Sequence, residues 1–139
     1  MEYKKIGDLI VLRVARGEEI VTSVKAACEK ERVAFGSVEG IGAVGRAEVG
    51  LYRVAERKYY PNTFEGEMEM TSLLGNVTEK DGQVYLHLHA NFARADGQVL
   101  GGHLNGAVVS GTAEIFIRTA PGTVGRRADP GTGLNVFAF

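Results

Sequence analysis

The residue types best suited to chemistry in this sequence are its three histidines, His87, His89 and His103, which all lie between positions 87 and 103. Neutral imidazole nitrogens bind Zn²⁺ at ~2.0 to 2.1 Å, and three protein ligands leave a further position for water or another ligand. An HxH pair on an extended strand sets both rings on one face with Cα atoms ~6.6 Å apart, within reach of one ion. We read the set as a site for a divalent transition metal, zinc first among the choices. The alternative is a polar sheet face, solvated or covered by a subunit contact.

The strand carrying the first two rings must point them away from the core. Val84, Leu86, Leu88, Ala90 and Phe92 form one apolar row, while Tyr85, His87, His89 and Asn91 form the other. His103 depends on the following turn. If Ala95, Asp96 and Gly97 make a three-residue loop with Gly97 left-handed, Arg94 pairs with Gln98 and His103 lies opposite His89. A two-residue Asp-Gly turn would move His103 to the core face. The longer loop is preferred because Gly101 and Gly102 leave room beside His103 for close approach.

A fourth participant is sought on the preceding strand, Phe64 to Val77, where Glu65, Glu67, Glu69 and Thr71 alternate with Gly66, Met68, Met70 and Ser72. Glu79-Lys80-Asp81-Gly82 is a hairpin signal. Pairing of Val77 with Gln83 would set Thr71 opposite His89 and Glu69 opposite Asn91. Glu69 is then the candidate fourth ligand, or an outer partner of the ligands; otherwise the glutamates are a solvated face.

The chain's 139 residues suit one domain spanning 1–139 with its own core. Lys and Arg number 16 against 17 for Asp and Glu, so no global positive field draws the protein to nucleic acid or to an anionic membrane. The single cysteine, Cys28, cannot close an internal disulfide, and the opening hydrophobic run is too short for a signal segment or membrane span. A cytoplasmic protein is expected. With 19 glycines and 3 prolines set between apolar runs, the composition is that of a β-rich fold.

Leu9 to Val14 reads as a strand closed by Arg16-Gly17, and a helix is expected from about Glu18, with Ile20, Val24, Ala27 and Cys28 on its buried stripe. Cys28 sits late in that helix without a histidine, so packing is its expected role. Ala34 to Val38 is a second strand. It runs into Gly40-Ile41-Gly42-Ala43-Val44-Gly45, whose letters match a dinucleotide fingerprint. That motif needs a helix directly after it, whereas Ala47 to Val54 alternates as a strand; the stretch is expected to be a glycine-rich connection. Glu56 to Thr63 is expected as a surface loop. In the strand Ala107 to Ile117, Val109, Ala113, Ile115 and Ile117 face the core and Phe116 faces out. Pro121 to Gly133 reads as a loop before a closing strand, Leu134 to Phe139.

Leu73-Leu74-Gly75-Asn76-Val77, His87-Leu88-His89, Asp96-Gly97, Gly101-Gly102-His103-Leu104 and Thr112-Ala113-Glu114-Ile115, in this order, resemble the PPC domain, a family of plants and prokaryotes. Arg16-Gly17-Glu18-Glu19 and Gly40-Ile41-Gly42-Ala43-Val44 resemble it too, so the likeness spans nearly the whole chain. It implies an α/β fold of the α+β type, a largely antiparallel sheet flanked by helices, assembled as a homotrimer. It also implies that prokaryotic members bind metal through the positions of His87, His89 and His103. In plant members an AT-hook precedes the domain and grips the DNA minor groove. No Arg-Gly-Arg-Pro hook occurs here, and Gly125-Arg126-Arg127-Ala128 does not replace one.

Three functions follow. The first is a non-enzymatic, trimeric metal-binding module with a small-ligand or protein partner and no membrane association. The second is a DNA-associated protein, and the third a zinc-dependent hydrolase or lyase using the open coordination position. A serine or cysteine triad is hard to assemble, since every histidine already lies in the cluster.

Overall fold

The computed structural model describes residues 1–139. Its elements are β1 (Glu2–Ile6), β2 (Leu9–Ala15), α1 (Ile20–Lys30), β3 (Gly36–Arg53), a 3-10 turn (Val54–Glu56), β4 (Lys58–Lys80), β5 (Gln83–Ala93), β6 (Val99–Thr119), β7 (Gly125–Ala128) and β8 (Asn135–Ala138). Every pairing is antiparallel. The main sheet runs β1-β2-β6-β3-β4-β5, and β5 also returns to β6, so β6, β3, β4 and β5 close on themselves. One α-helix accompanies the sheet, rather than the several helices expected to flank it.

Alternation along the strands builds the core. Leu88, Ala90 and Phe92 of β5 meet Val109, Ala113, Ile115 and Ile117 of β6 in one buried cluster with Ile10, Leu12 and Val14 of β2. The helix adds Ile20, Val24, Ala27 and Cys28 to it. Glu19 caps α1, accepting from the Val21 and Thr22 N–H groups, and the Ala107 N–H also donates to it, which ties the helix start to β6. Burial pushes the Cys28 thiol up to about 12, which leaves it protonated and unreactive, in keeping with packing.

Three expectations are corrected. The glycine-rich stretch 40–45 is the middle of an 18-residue strand, not a connection. It pairs with both neighbours, with irregularities between Gly40 and Gly42 on the β4 side, between Gly42 and Val44 on the β6 side, and between Val44 and Arg46 on both. Strand β4 begins at Lys58, so of the loop expected over 56–63 only Glu56, the last residue of the 3-10 turn, and Arg57 lie outside a strand. The tail supplies two strands, with Gly125–Ala128 pairing to Asn135–Ala138 as a separate hairpin. The opening strand β1, for which the alternation gave no signal, borders β2.

The candidate metal centre

The β5–β6 turn takes the longer form. The Arg94 N–H donates to the Gln98 carbonyl at 2.9 Å, Gly97 has φ 81°, and the Gln98 N–H donates to Asp96 Oδ1 at 3.0 Å. That loop sets His103 directly opposite His89. What approaches the small residues beside His103 is strand β5 itself, because a Cβ on Gly101 would overlap the Ala90 carbonyl and the Asn91 side chain. On the other edge of β6, His103 faces Gly50 of β3, so the ring stands where the closed set of strands meets.

The β4–β5 turn corrects the expected register. Asp81 and Gly82 have φ 53° and 73° and form a two-residue loop that pairs Lys80 with Gln83. Val77 therefore faces Leu86, Asn76 faces His87 and Leu74 faces His89. The shift is odd in number, so even-numbered residues of this part of β4 share the histidine face. A bulge between Met70 and Ser72 then places Glu69 opposite Ala93, not Asn91. Glu69 lines a different recess with Ala43, Thr71 and Thr112.

The three rings form a near-equilateral group, with centroids 5.1 Å (His87–His89), 5.3 Å (His87–His103) and 5.4 Å (His89–His103) apart. One ligand nitrogen from each lies within 4.8 Å of the others. The His87 and His89 Nε2 atoms are 3.2 Å apart. Two nitrogens bound tetrahedrally at ~2.0 to 2.1 Å would stand roughly 3.3 to 3.4 Å apart, so the His87 and His89 pair has the spacing of two ligands on one divalent transition ion.

The electrostatics favour the neutral form of His87 and His103. Burial, then His103, His89 and Arg126, hold His87 below the ordinary imidazole range; burial and then His89 do the same for His103. An unprotonated ring keeps the lone pair that a metal needs. Tyr59 stands edge-on to His103 with centroids 6.0 Å apart, and its hydroxyl donates to the His103 carbonyl at 3.2 Å.

The rings open into a cavity of about 610 Å³. Its walls include Tyr52, Tyr59, Asn76, Tyr85, Arg126 and the apolar residues of the terminal hairpin, Leu134, Val136 and Phe137. Arg126 is held by three hydrogen bonds: Nε to Thr78 Oγ1 at 3.0 Å, Nη1 to the Asn135 carbonyl at 2.9 Å and Nη2 to Asn76 Oδ1 at 2.7 Å. Its guanidinium carbon lies 4.7 Å from the Tyr85 ring centre and 4.5 Å from that of Phe137. Sequence reasoning weighed Arg126 only as part of a DNA hook and missed its place here. The one available signal was Asn76 within the Leu73-Leu74-Gly75-Asn76-Val77 motif.

The sequence profile of the Plants and Prokaryotes Conserved (PCC) domain matches residues 1–121. The chain belongs to the PCC, or PPC, domain family. A provisionally assigned DNA-binding protein of Bacteroides thetaiotaomicron has a similar structure, with TM-score 0.97 and 34% identity over 99% of this chain and 96% of that one. A metal-containing protein of Archaeoglobus fulgidus is similar with TM-score 0.88 and 27% identity over 100% and 99% of the two chains. Bifunctional protein GlmU of Synechococcus sp. (strain JA-2-3B'a(2-13)) is 30% identical over 124 residues, 88% of this PCC chain. This chain spans only 18% of that curated relative's length. The terminal hairpin, β7–β8, lies beyond the residues matched by the family profile. No helix of the chain is long and apolar enough to cross a membrane.

Proposed function

We propose that this PCC-domain chain is a non-enzymatic, cytoplasmic metal-binding module that holds a divalent transition ion, zinc foremost, through His87, His89 and His103. The observation that carries the reading is the convergence of three half-buried or exposed imidazoles to mutual nitrogen distances within 4.8 Å. When bound, the ion would supply a Lewis-acidic point of attachment for a ligand in the adjoining cavity. The metal-containing relative from Archaeoglobus fulgidus supports the same reading. Metal analysis of protein purified without a histidine tag should find the ion, and His87→Ala should lose it. The loss should exceed the about 10- to 100-fold that removal of an outer-sphere partner costs. Unchanged metal content in that variant overturns the site.

A homotrimer is part of the proposal. Exposed apolar side chains support it: Leu74 faces His89 across β4–β5, and Phe116 lies in the same row beyond Glu39. Leu74→Glu, followed by light scattering, should dissociate the assembly.

Association with DNA is the second reading, favoured by the provisional assignment of the Bacteroides thetaiotaomicron relative. Against it, Arg126 is engaged within the fold and not presented on a free arm. Binding measured at two salt concentrations tests it, because phosphate contacts weaken steeply with added salt.

A further inference from the structure

We infer that the cavity beside the three histidines is a binding site for a small organic carboxylate, with Arg126 as its selectivity residue. The inference rests on the metal reading for one of two positive charges; Arg126 supplies the other independently.

The lining carries the argument. None of the 14 residues around the cavity is acidic, and Arg126 has no carboxylate within ion-pairing distance. A half-buried guanidinium without a counter-ion is costly, and it stays charged at any ordinary pH. Three of its five N–H donors are used, by Thr78, Asn135 and Asn76, which leaves two. The rings of Tyr85 and Phe137 fix its plane. One N–H remains on each of Nη1 and Nη2, so the guanidinium keeps two donors for a carboxylate. A cation bound at the histidines would add to the positive potential of the same space. Leu51, Leu134, Val136 and Phe137 give apolar walls, which suit an organic body rather than a bare inorganic anion. In the metal-free protein Arg126 is the single permanent cation of the lining, which matches the single charge of a carboxylate.

The test uses the full chain, zinc-loaded and metal-free in parallel, titrated calorimetrically with benzoate, acetate, neutral benzamide and inorganic phosphate. Benzoate and acetate should bind, and benzoate should exceed benzamide by about tenfold or more. The visible absorption of cobalt-substituted protein should shift with benzoate. Arg126→Gln should cost about tenfold in benzoate affinity, and Arg126→Lys less, with zinc content unchanged in both. The benzoate and benzamide comparison on the unaltered chain stands even if the variants loosen the hairpin. Equal binding of the charged and neutral probes, phosphate binding tighter than either carboxylate, or wild-type benzoate affinity in a folded Arg126→Gln overturns the inference. Loss of zinc binding with retained Arg126-dependent benzoate binding would overturn the metal reading alone.

Discussion

Two hairpins meet over the candidate site, and they are attached to the molecule by different means. The β5–β6 hairpin, which carries all three histidines, is paired on both flanks, with β4 along one edge and β3 along the other. Its inward side chains Leu88, Ala90 and Phe92 are buried in the common core. The β7–β8 hairpin pairs only with itself and has four residues in each strand. Side chains fasten it: Arg126 to Asn76 and Thr78, Tyr52 to the Thr132 carbonyl and Arg57 to the Pro130 carbonyl. One backbone bond helps, from the Glu79 N–H to the Val124 carbonyl. The histidine positions are thus set by a continuous hydrogen-bonded ladder over an apolar core. The cover is set by a few polar contacts, the arrangement expected of a segment that opens locally at lower free energy than the whole fold.

The strongest way to break the contrast is to hollow out the first hairpin. Phe92 is fully buried, and Phe92→Ala should cost about 3 to 5 kcal/mol in chemical denaturation, with the β7–β8 hairpin lost in the same transition. A smaller, directed effect is expected at Gly75, where an added Cβ would overlap the His87 carbonyl of the paired strand. Gly75→Ala should destabilise by about 1 to 3 kcal/mol and weaken metal binding, since β5 must move to relieve the overlap. Local attack on the second hairpin should be milder still. Tyr52→Phe removes the hydroxyl that donates to Thr132, at about 0.5 to 1.5 kcal/mol. Hydrogen exchange should quicken over 125–138 and stay unchanged over 84–92, whereas equal quickening in both would erase the distinction.

The smallest expected effect is a pH dependence that belongs to the first hairpin alone. His87 and His103 are lowered in the fold, so the unfolded chain binds protons first as pH falls. Stability of the metal-free protein should be full above the ordinary imidazole value of about 6.5 and should decline as pH falls from there through the lower folded values. Replacing His87 with Gln should flatten that decline, as read from denaturation midpoints at a series of pH values. Protons compete for the same nitrogens, so metal release should accompany the lower end of the window.

The alternation of β5 was legible because period two is written into consecutive residues: each neighbour of His87 and His89 is apolar and faces inward. The Asp96-Gly97 turn was equally local, and with it the pairing of His89 with His103. The PCC resemblance joined these pieces into one fold, and the profile match bears that out. The register of β4 was misread, although Asp81-Gly82 is also local, because a five-residue loop was assumed where a two-residue turn forms. One odd shift exchanged the faces and sent Glu69 away from the rings.

By itself, then, the sequence determined which side chains alternate outward and that His87 and His89 share a face, since both follow from residues a few positions apart, and it placed His103 with them once the longer Asp96-Gly97 loop was chosen. Only the tertiary structure decided that β6 is shared among three other strands, that a bulge follows Met70, and that Arg126, from the distant end of the chain, lines the same cavity as the rings. Contacts of that kind depend on how strands stack after they pair, and no spacing along the chain encodes which side chains then meet across the gap.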